Sequence, residues 1–284
     1  MENGDSKSCS MPALSIGSHK VSVPIIQGGM GVRISLSRLA AAVANEGAIG
    51  VISATGLGFA DQAGTDVSSA NQRFLIEEIR KARQLSKGVI GINLLVALSD
   101  YDKLLKIAFE EKVDIVFAGA GLPLKFPAAI TPDILRHGHT RFVPIVSSAK
   151  AAQVIFKYWA SHYDHIPDAL VVEGPMAGGH LGFSRDQLDD PAYALEKVLA
   201  EVLPVARDYG ERFDKPVPVI AAGGIYTGED IYRYMKAGAS GVQMGTRFVA
   251  TNECDASDAF KNEYIQCRKE DIAIINSPVG MPGR

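Results

Sequence analysis

Cysteine is scarce in this chain. Cys9, Cys254 and Cys267 are three scattered thiols in 284 residues, an odd number without a CxxC pair. That usage fits a reducing compartment and supplies no metal framework, so the plain reading is three buried or idle thiols and no metal. Charge is not concentrated anywhere either. Lys+Arg 29 against Asp+Glu 32 leaves a formal net charge of −3 with no run of like sign, which argues against a nucleic-acid or anionic-membrane surface. No apolar run approaches membrane-spanning length, and "MENGDSKSCSMPAL" has no basic n-region ahead of an apolar h-region. The expectation is a cytoplasmic protein whose partner is a small molecule.

What is present is a core and a rhythm. Apolar residues make up 47% and charged residues 21%, enough for a large buried interior. Apolar runs bounded by Gly, Pro or Asn recur at 21–29, 48–54, 89–96, 113–121, 141–148, 168–174, 217–225 and 240–248. Between them lie segments such as "SLSRLAAAVANEG", "NQRFLIEEIRKARQL", "AKAAQVIFKYWASHY" and "ALEKVLAEVLPVARDY", with apolar residues every three or four positions. These read as amphipathic helices. Short buried strands alternating with helices mean a parallel sheet clothed by helices.

Eight such units, running through nearly the whole chain without a composition break, predict an α/β fold of the (β/α)8 TIM-barrel type rather than an open sheet. One domain is expected over 1–284, with 1–18 as an N-terminal extension and 253–284 as a C-terminal segment. Two long loops, 56–70 and 181–193, follow the second and sixth strands on the C-terminal face, where barrels place their active sites.

The strand ends are rich in glycine: "QGGMG", "AGAG", "EGPMAGGHLG", "AAGGI" and "MGT". Glycine lets backbone N–H groups come close to a bulky ligand at an entropic cost that a purely structural barrel need not bear. Gly223 and Gly224 follow the seventh strand and lead into a helix beginning near Thr227, while Gly245 and Thr246 follow the eighth. Barrels commonly hold a phosphate there, so a phosphate-bearing ligand is expected. Asn93 in "GINLLV" is a polar residue in an apolar run, placed either to bond a ligand ring or to cap a turn.

His180 follows the sixth strand by a short glycine loop, so its imidazole is expected in the mouth, either as a proton acceptor or as a donor to a ligand oxygen. His19, His137, His139, His162 and His165 stand among polar neighbours and read as surface residues. No metal-ligand spacing and no serine elbow accompany His180. The hard chemistry then falls to a cofactor, and a phosphate-anchored one across a barrel mouth fits flavin mononucleotide, FMN.

Taken together, "PIIQGGMG", "LAAAVANEGAIGVIS", "GINLLV", "DALVVEGPMAGGHLG", "PVIAAGGI" and "QMGTRFVAT" resemble the nitronate monooxygenase family, formerly the 2-nitropropane dioxygenases, over roughly 20–252. The resemblance implies an FMN-dependent barrel that oxidises alkyl nitronates with O2 to a carbonyl compound and nitrite. It places Gly29, Met30, Asn93 and Glu173 beside the flavin, and Gly179, Gly223, Gly224, Gly245 and Thr246 around the ribityl phosphate or ring edge. His180 matches the family's active-site histidine. The same motifs resemble flavin-dependent enoyl-acyl-carrier-protein reductases, in which NAD(P)H reduces the flavin, and related quinone reductases. Pro175 and Met176 make the histidine loop stiffer and more apolar than the family pattern, and "SPVGMPGR" ends the sequence where family members continue with covering helices. The sequence is then either a truncated version or a short one with an open mouth, and a complete substrate pocket is not expected from it.

Two rival readings differ in kind. A barrel of the inosine-monophosphate dehydrogenase type needs a cysteine after the sixth strand, and 168–190 contain none. A flavin-binding barrel without turnover is the non-enzyme alternative, which fold alone does not exclude. A homodimer is a working assumption; nothing in the sequence marks its interface.

Overall fold

The computed structural model describes residues 11–60, 66–277 and 280–284. Cys9 lies outside them, as does the middle of the 56–70 loop. The described chain opens with an antiparallel hairpin, β1 (Leu14–Ile16) and β2 (His19–Val21). Eight strands follow: β3 (Ile25–Gln27), β4 (Ile49–Ser53), β5 (Val89–Leu95), β6 (Ile115–Gly119), β7 (Arg141–Val146), β8 (Leu170–Glu173), β9 (Val219–Ala222) and β10 (Gly241–Met244). Each pairs in parallel with the next, and β10 pairs back onto β3, closing the barrel.

The intervening helices are α1 (Ser37–Asn45), α2 (Val67–Leu85), α3 (Tyr101–Glu110), α4 (Pro132–His137), α5 (Ala149–Tyr163), α6 (Leu195–Arg212) and α7 (Gly228–Lys236). Their starts are written in capping residues. The side chains of Asp66, Thr131, Ser148 and Thr227 accept amides of the first turns of α2, α4, α5 and α7. After β10 come α8 (Thr246–Val249), α9 (Asp258–Gln266) and a two-residue antiparallel pair, β11 (Ile275–Asn276) with β12 (Pro282–Gly283). This last part is tied back to the barrel: Asp255 Oδ2 accepts the Leu36 and Leu39 amides at 2.8 and 3.2 Å, and Cys254 is fully buried.

Strand alternation divides the core. Ile49, Val51, Ile115, Phe117, Val143, Val171 and Ile220 point inward and form one cluster with Leu14, Ile16 and Val21 of the hairpin. The hairpin therefore stoppers the N-terminal end of the barrel, and each of its two fully buried aliphatic side chains contributes about 1.5–3 kcal/mol. Carboxylates fix register at this end. Asp114 Oδ2 accepts the Ile90 amide at 2.7 Å and Asp168 Oδ2 the Phe142 amide at 2.9 Å. Arg83 lies 2.8 Å from Asp114 Oδ2, and Lys215 Nζ 2.9 Å from Asp168 Oδ1.

Four details depart from the sequence reading. Residues 14–18 are not a loose extension but belong to the stopper. The run at 240–248 divides into β10 and α8, so Thr246 opens a helix. The second half of the 56–70 loop starts α2 at Val67, after a 3-10 turn at Leu57–Ala60. His165 is buried, not superficial, stacked on Trp159 at 6.3 Å between centroids. Burial, reinforced by the charge of Lys215, lowers its pKa to about 4.

Candidate active site

The same alternation that fills the barrel with aliphatic residues carries polar ones to its C-terminal mouth. Following Val51, Gly91 and Val171 by two positions, Ser53, Asn93 and Glu173 are the inward residues at the tops of β4, β5 and β8. Glu173 stands in packed surroundings that push its carboxyl up to about 8, so at neutral pH it is mostly a protonated acid able to donate a hydrogen bond. Asn93 lies against the loop after β3: a side chain at Gly29 would place its Cβ 2.3 Å from Asn93 Cβ. Only glycine permits that approach. The neighbouring Met30 gives its amide to Ser35 Oγ at 2.8 Å and reaches the loop after β10, where a Cβ on Gly245 would meet its sulfur at 3.4 Å. Gly29, Met30, Asn93 and Gly245 thus form one side of the mouth.

The opposite side joins the loops after β8 and β9. Gly223 and Gly224 have φ of +101° and +73°, and Cβ atoms there would meet Ala177 N at 3.0 Å and Met176 Cβ at 2.9 Å. The amides of Gly223, Gly224 and Gly245 find no acceptor among the described residues. Unpaired backbone donors of this kind call for an acceptor from outside the chain. The N-terminus of α7 carries its own capping box, which leaves the Gly228 and Glu229 amides without an acceptor among the described residues. Asp230 Oδ2 accepts the Tyr226 and Thr227 amides at 3.1 and 2.9 Å, and Thr227 Oγ1 accepts the Asp230 amide at 3.1 Å. The glycine amides and the first-turn amides of α7 are therefore both available to an anion.

His180 lies on the loop after β8, with open space beside it: apart from chain neighbours, no atom lies within 4 Å of a Cβ built on Gly178 or Gly179. What holds the loop is the end of the sequence. The Gly179 amide donates to Arg284 O and the Arg284 amide to Gly179 O, both at 3.0 Å, and the Leu181 amide donates to Pro282 O at 2.8 Å. His180 is bridged to Gly283 between these bonds. Arg284 Nη1 also reaches Met176 Sδ at 3.4 Å, and Arg185 Nη2 donates to Ile274 O and Asn276 Oδ1, each at 3.2 Å. Residues 282–284 thus lie along the histidine loop. Partial desolvation lowers the His180 pKa, favouring the neutral imidazole.

Pro282, Gly283 and Arg284 escaped the sequence reading because their partners lie about a hundred residues away. The one signal was glycine on both sides of a close approach, since a Cβ on Gly283 would come within 3.3 Å of Gly179 O.

A closed parallel barrel with a glycine-built mouth and one histidine defines an α/β-barrel site of the cofactor-binding kind. The chain belongs to the nitronate monooxygenase family, whose model matches residues 13–284, and whose members are typically flavin-dependent oxidoreductases. Similar proteins include the (3aS,4S,5R,7aS)-5-hydroxy-7a-methyl-1-oxo-octahydro-1H-indene-4-carboxyl-CoA dehydrogenase of Rhodococcus jostii (strain RHA1), 27% identical over 261 residues. That match covers 92% of this chain but only 62% of the dehydrogenase. A probable nitronate monooxygenase of Staphylococcus aureus (strain Newman) is 27% identical over 93% of this chain and 75% of its own length. The structure of FabK from Thermotoga maritima superposes with a TM-score of 0.69 and 28% identity, over 93% of this chain and 70% of that one. Among the described residues no helix is long and apolar enough to cross a membrane.

Proposed function

We propose that this protein is an FMN-dependent oxidoreductase with nitronate monooxygenase activity, converting alkyl nitronates and O2 to a carbonyl compound and nitrite. The observation that carries the proposal is a mouth whose Gly223, Gly224 and Gly245 amides lack acceptors among the described residues, with His180 on the loop after β8. The residues fit the cofactor: these amides with Thr246 would hold its phosphate, and Gly29, Met30, Asn93, Glu173 and Gly179 would face its ribityl chain and ring. FMN, when bound, supplies the electron acceptor that the side chains of this barrel lack.

The chain's own residues handle protons and charge. Neutral His180 accepts the α-proton of a nitroalkane on an imidazole nitrogen, and the resulting imidazolium attracts the nitronate oxygens. Protonated Glu173 donates to an acceptor atom in the mouth, and Asn93 offers both a donor and an acceptor beside it. The backbone bonds from residues 282–284 keep the imidazole from swinging away with its glycine loop.

A second reading, oxidation or reduction of an acyl thioester with NAD(P)H, is supported by the likeness to FabK and to the Rhodococcus CoA dehydrogenase. Anaerobic addition of propyl nitronate, NADH or NADPH to the flavin-loaded protein separates the two. Bleaching of the flavin spectrum by nitronate alone is expected. Bleaching by a nicotinamide nucleotide alone moves the assignment to the thioester or quinone reductases, and a sample that neither holds nor rebinds flavin overturns both.

A further inference from the structure

At the opposite end of the barrel, three residues that the mouth does not use come together: His19 on β2, Asp114 just before β6, and His139 just before β7. Their ligating atoms all lie within 4.8 Å of one another. His139 Nε2 is 2.8 Å from Asp114 Oδ1, and His19 Nδ1 is 3.9 Å from the same oxygen. We propose that His19, Asp114 and His139 form a divalent transition-metal site, best suited to Zn2+, that staples the hairpin stopper to the barrel. This inference is independent of the reading of the mouth.

The hydrogen bonds around the cluster prepare it for a cation. His19 Nε2 lies 3.0 Å from the His139 carbonyl, which can only accept, so the ring proton is on Nε2 and Nδ1 of the neutral ring carries a lone pair. Asp114 Oδ1 already accepts the His139 Nε2–H at 2.8 Å, so a bound cation would displace that proton and take the His19 lone pair as a further ligand. A backbone carbonyl fixing the tautomer of a ligating histidine is the usual outer support of a zinc site. Asp114 is oriented in the same way, since its other oxygen is taken by the Ile90 amide at 2.7 Å and by Arg83 at 2.8 Å.

Two imidazoles and one carboxylate oxygen are the donor set of zinc rather than of calcium or magnesium, with a water completing the tetrahedron. Tetrahedral zinc bonds of about 2.0–2.2 Å set ligand atoms about 3.3–3.5 Å apart, so the His139–Asp114 pair must open from 2.8 Å while the wider separations close. His139 can supply the movement, its side chain being 48% exposed against 11% for His19 and 8% for Asp114. Arg83 at the carboxylate opposes the ion, so the site is weaker than a closed structural zinc site.

The test uses the full chain, stripped with EDTA and dialysed. Co2+ is titrated while its visible ligand-field bands are followed, and Zn2+ is then added in competition. One equivalent with tetrahedral band intensity is expected, and saturating Zn2+ should raise the thermal midpoint by about 5 °C. His19→Ala and His139→Ala should each weaken binding by more than about 100-fold, beyond the loss typical of an outer-shell group. His180→Ala and Cys267→Ser should leave it unchanged. Absence of saturable binding overturns the proposal, as does binding that survives both histidine replacements. So does an NMR spectrum showing His19 doubly protonated in the metal-free protein with no change on adding zinc, because a proton then serves where the ion was placed.

Discussion

The two ends of this barrel treat polar groups in opposite ways. At the N-terminal end, beneath the hairpin, Asp114 and Asp168 accept strand amides and pair with Arg83 and Lys215, with Arg141 Nε and His165 Nε2 the exceptions left without a hydrogen bond among the described residues. At the C-terminal end three glycine amides have no acceptor among the described residues, Gly179, Gly223 and Gly224 sit at positive φ, and burial pushes the inward-facing Glu173 carboxyl up to about 8. Polar groups satisfied within the chain hold the fold, while those left unsatisfied in a concave mouth await a ligand. The contrast is sharp enough to be broken by experiment: damage at one end should cost stability and spare the site, and damage at the other should do the reverse.

The largest effect is expected from Asp168→Ala. Lys215 would be left buried without its partner, and loss of one member of a buried pair costs about 3–5 kcal/mol. The midpoint of urea denaturation should fall with little change in slope, while the folded fraction keeps its flavin occupancy and turnover. A loss below about 1 kcal/mol, or loss of flavin from a stable protein, would show that the two ends are not separate in function.

His165 sharpens the same side through pH. Its pKa in the fold, about 4, lies below that of an exposed imidazole near ~6.5, so acid drives protons onto the unfolded chain first. Stability is fully present above about pH 6.5 and declines as the pH falls toward about 4, by on the order of 3 kcal/mol. His165→Phe, which keeps a ring beside Trp159, should remove this acid-side loss. Parallel stability curves for the two proteins would place the proton uptake elsewhere.

These two ends were not equally legible in the sequence. All eight barrel strands and the helices between them followed from apolar runs and three-to-four spacing, because burial on both faces leaves that mark locally. The glycine loops and His180 were legible for the same reason, each lying directly after a strand. The stopper was not: β1 and β2 are three residues each, and Leu14, Ile16 and Val21 are apolar only because they meet strands elsewhere in the chain. His165 and His19 were read as surface for a related cause, since their polar sequence neighbours face solvent while they themselves are covered, whereas His139 is exposed as expected. The pairing of Pro282–Arg284 with the histidine loop depends on distant backbone, which no local pattern reports.

On the mouth side, His180→Ala should slow turnover of a neutral nitroalkane at least about 100-fold, the lower range for loss of a general base. Preformed nitronate, which needs no deprotonation, should suffer less, and thermal stability should hold. Because desolvation lowers the His180 pKa, the acid limb of nitroalkane turnover should lie below about pH 6.5 and vanish in the variant. Normal turnover of both substrates would remove the histidine from the chemistry.

The smallest effect tests the cradle itself. Gly224 has φ of +73°, where a β-branched residue is strained, and a Cβ there would sit 2.9 Å from Met176 Cβ. Met176 cannot yield freely, since Arg284 rests on its sulfur and Arg284 is bonded in turn to the histidine loop. Gly224→Val should therefore displace an amide of the mouth and weaken FMN retention by about tenfold, equivalent to about 1.4 kcal/mol. Gly228, at the first position of α7, supplies the control: it lies four residues further on, outside the left-handed region, with no atom within 4 Å of a Cβ. Gly228→Val should leave flavin retention as it was. Full occupancy in both variants would move the phosphate away from the loop after β9. Equal loss in both would mean that the start of α7, despite its own Asp230 cap, takes part in holding the anion.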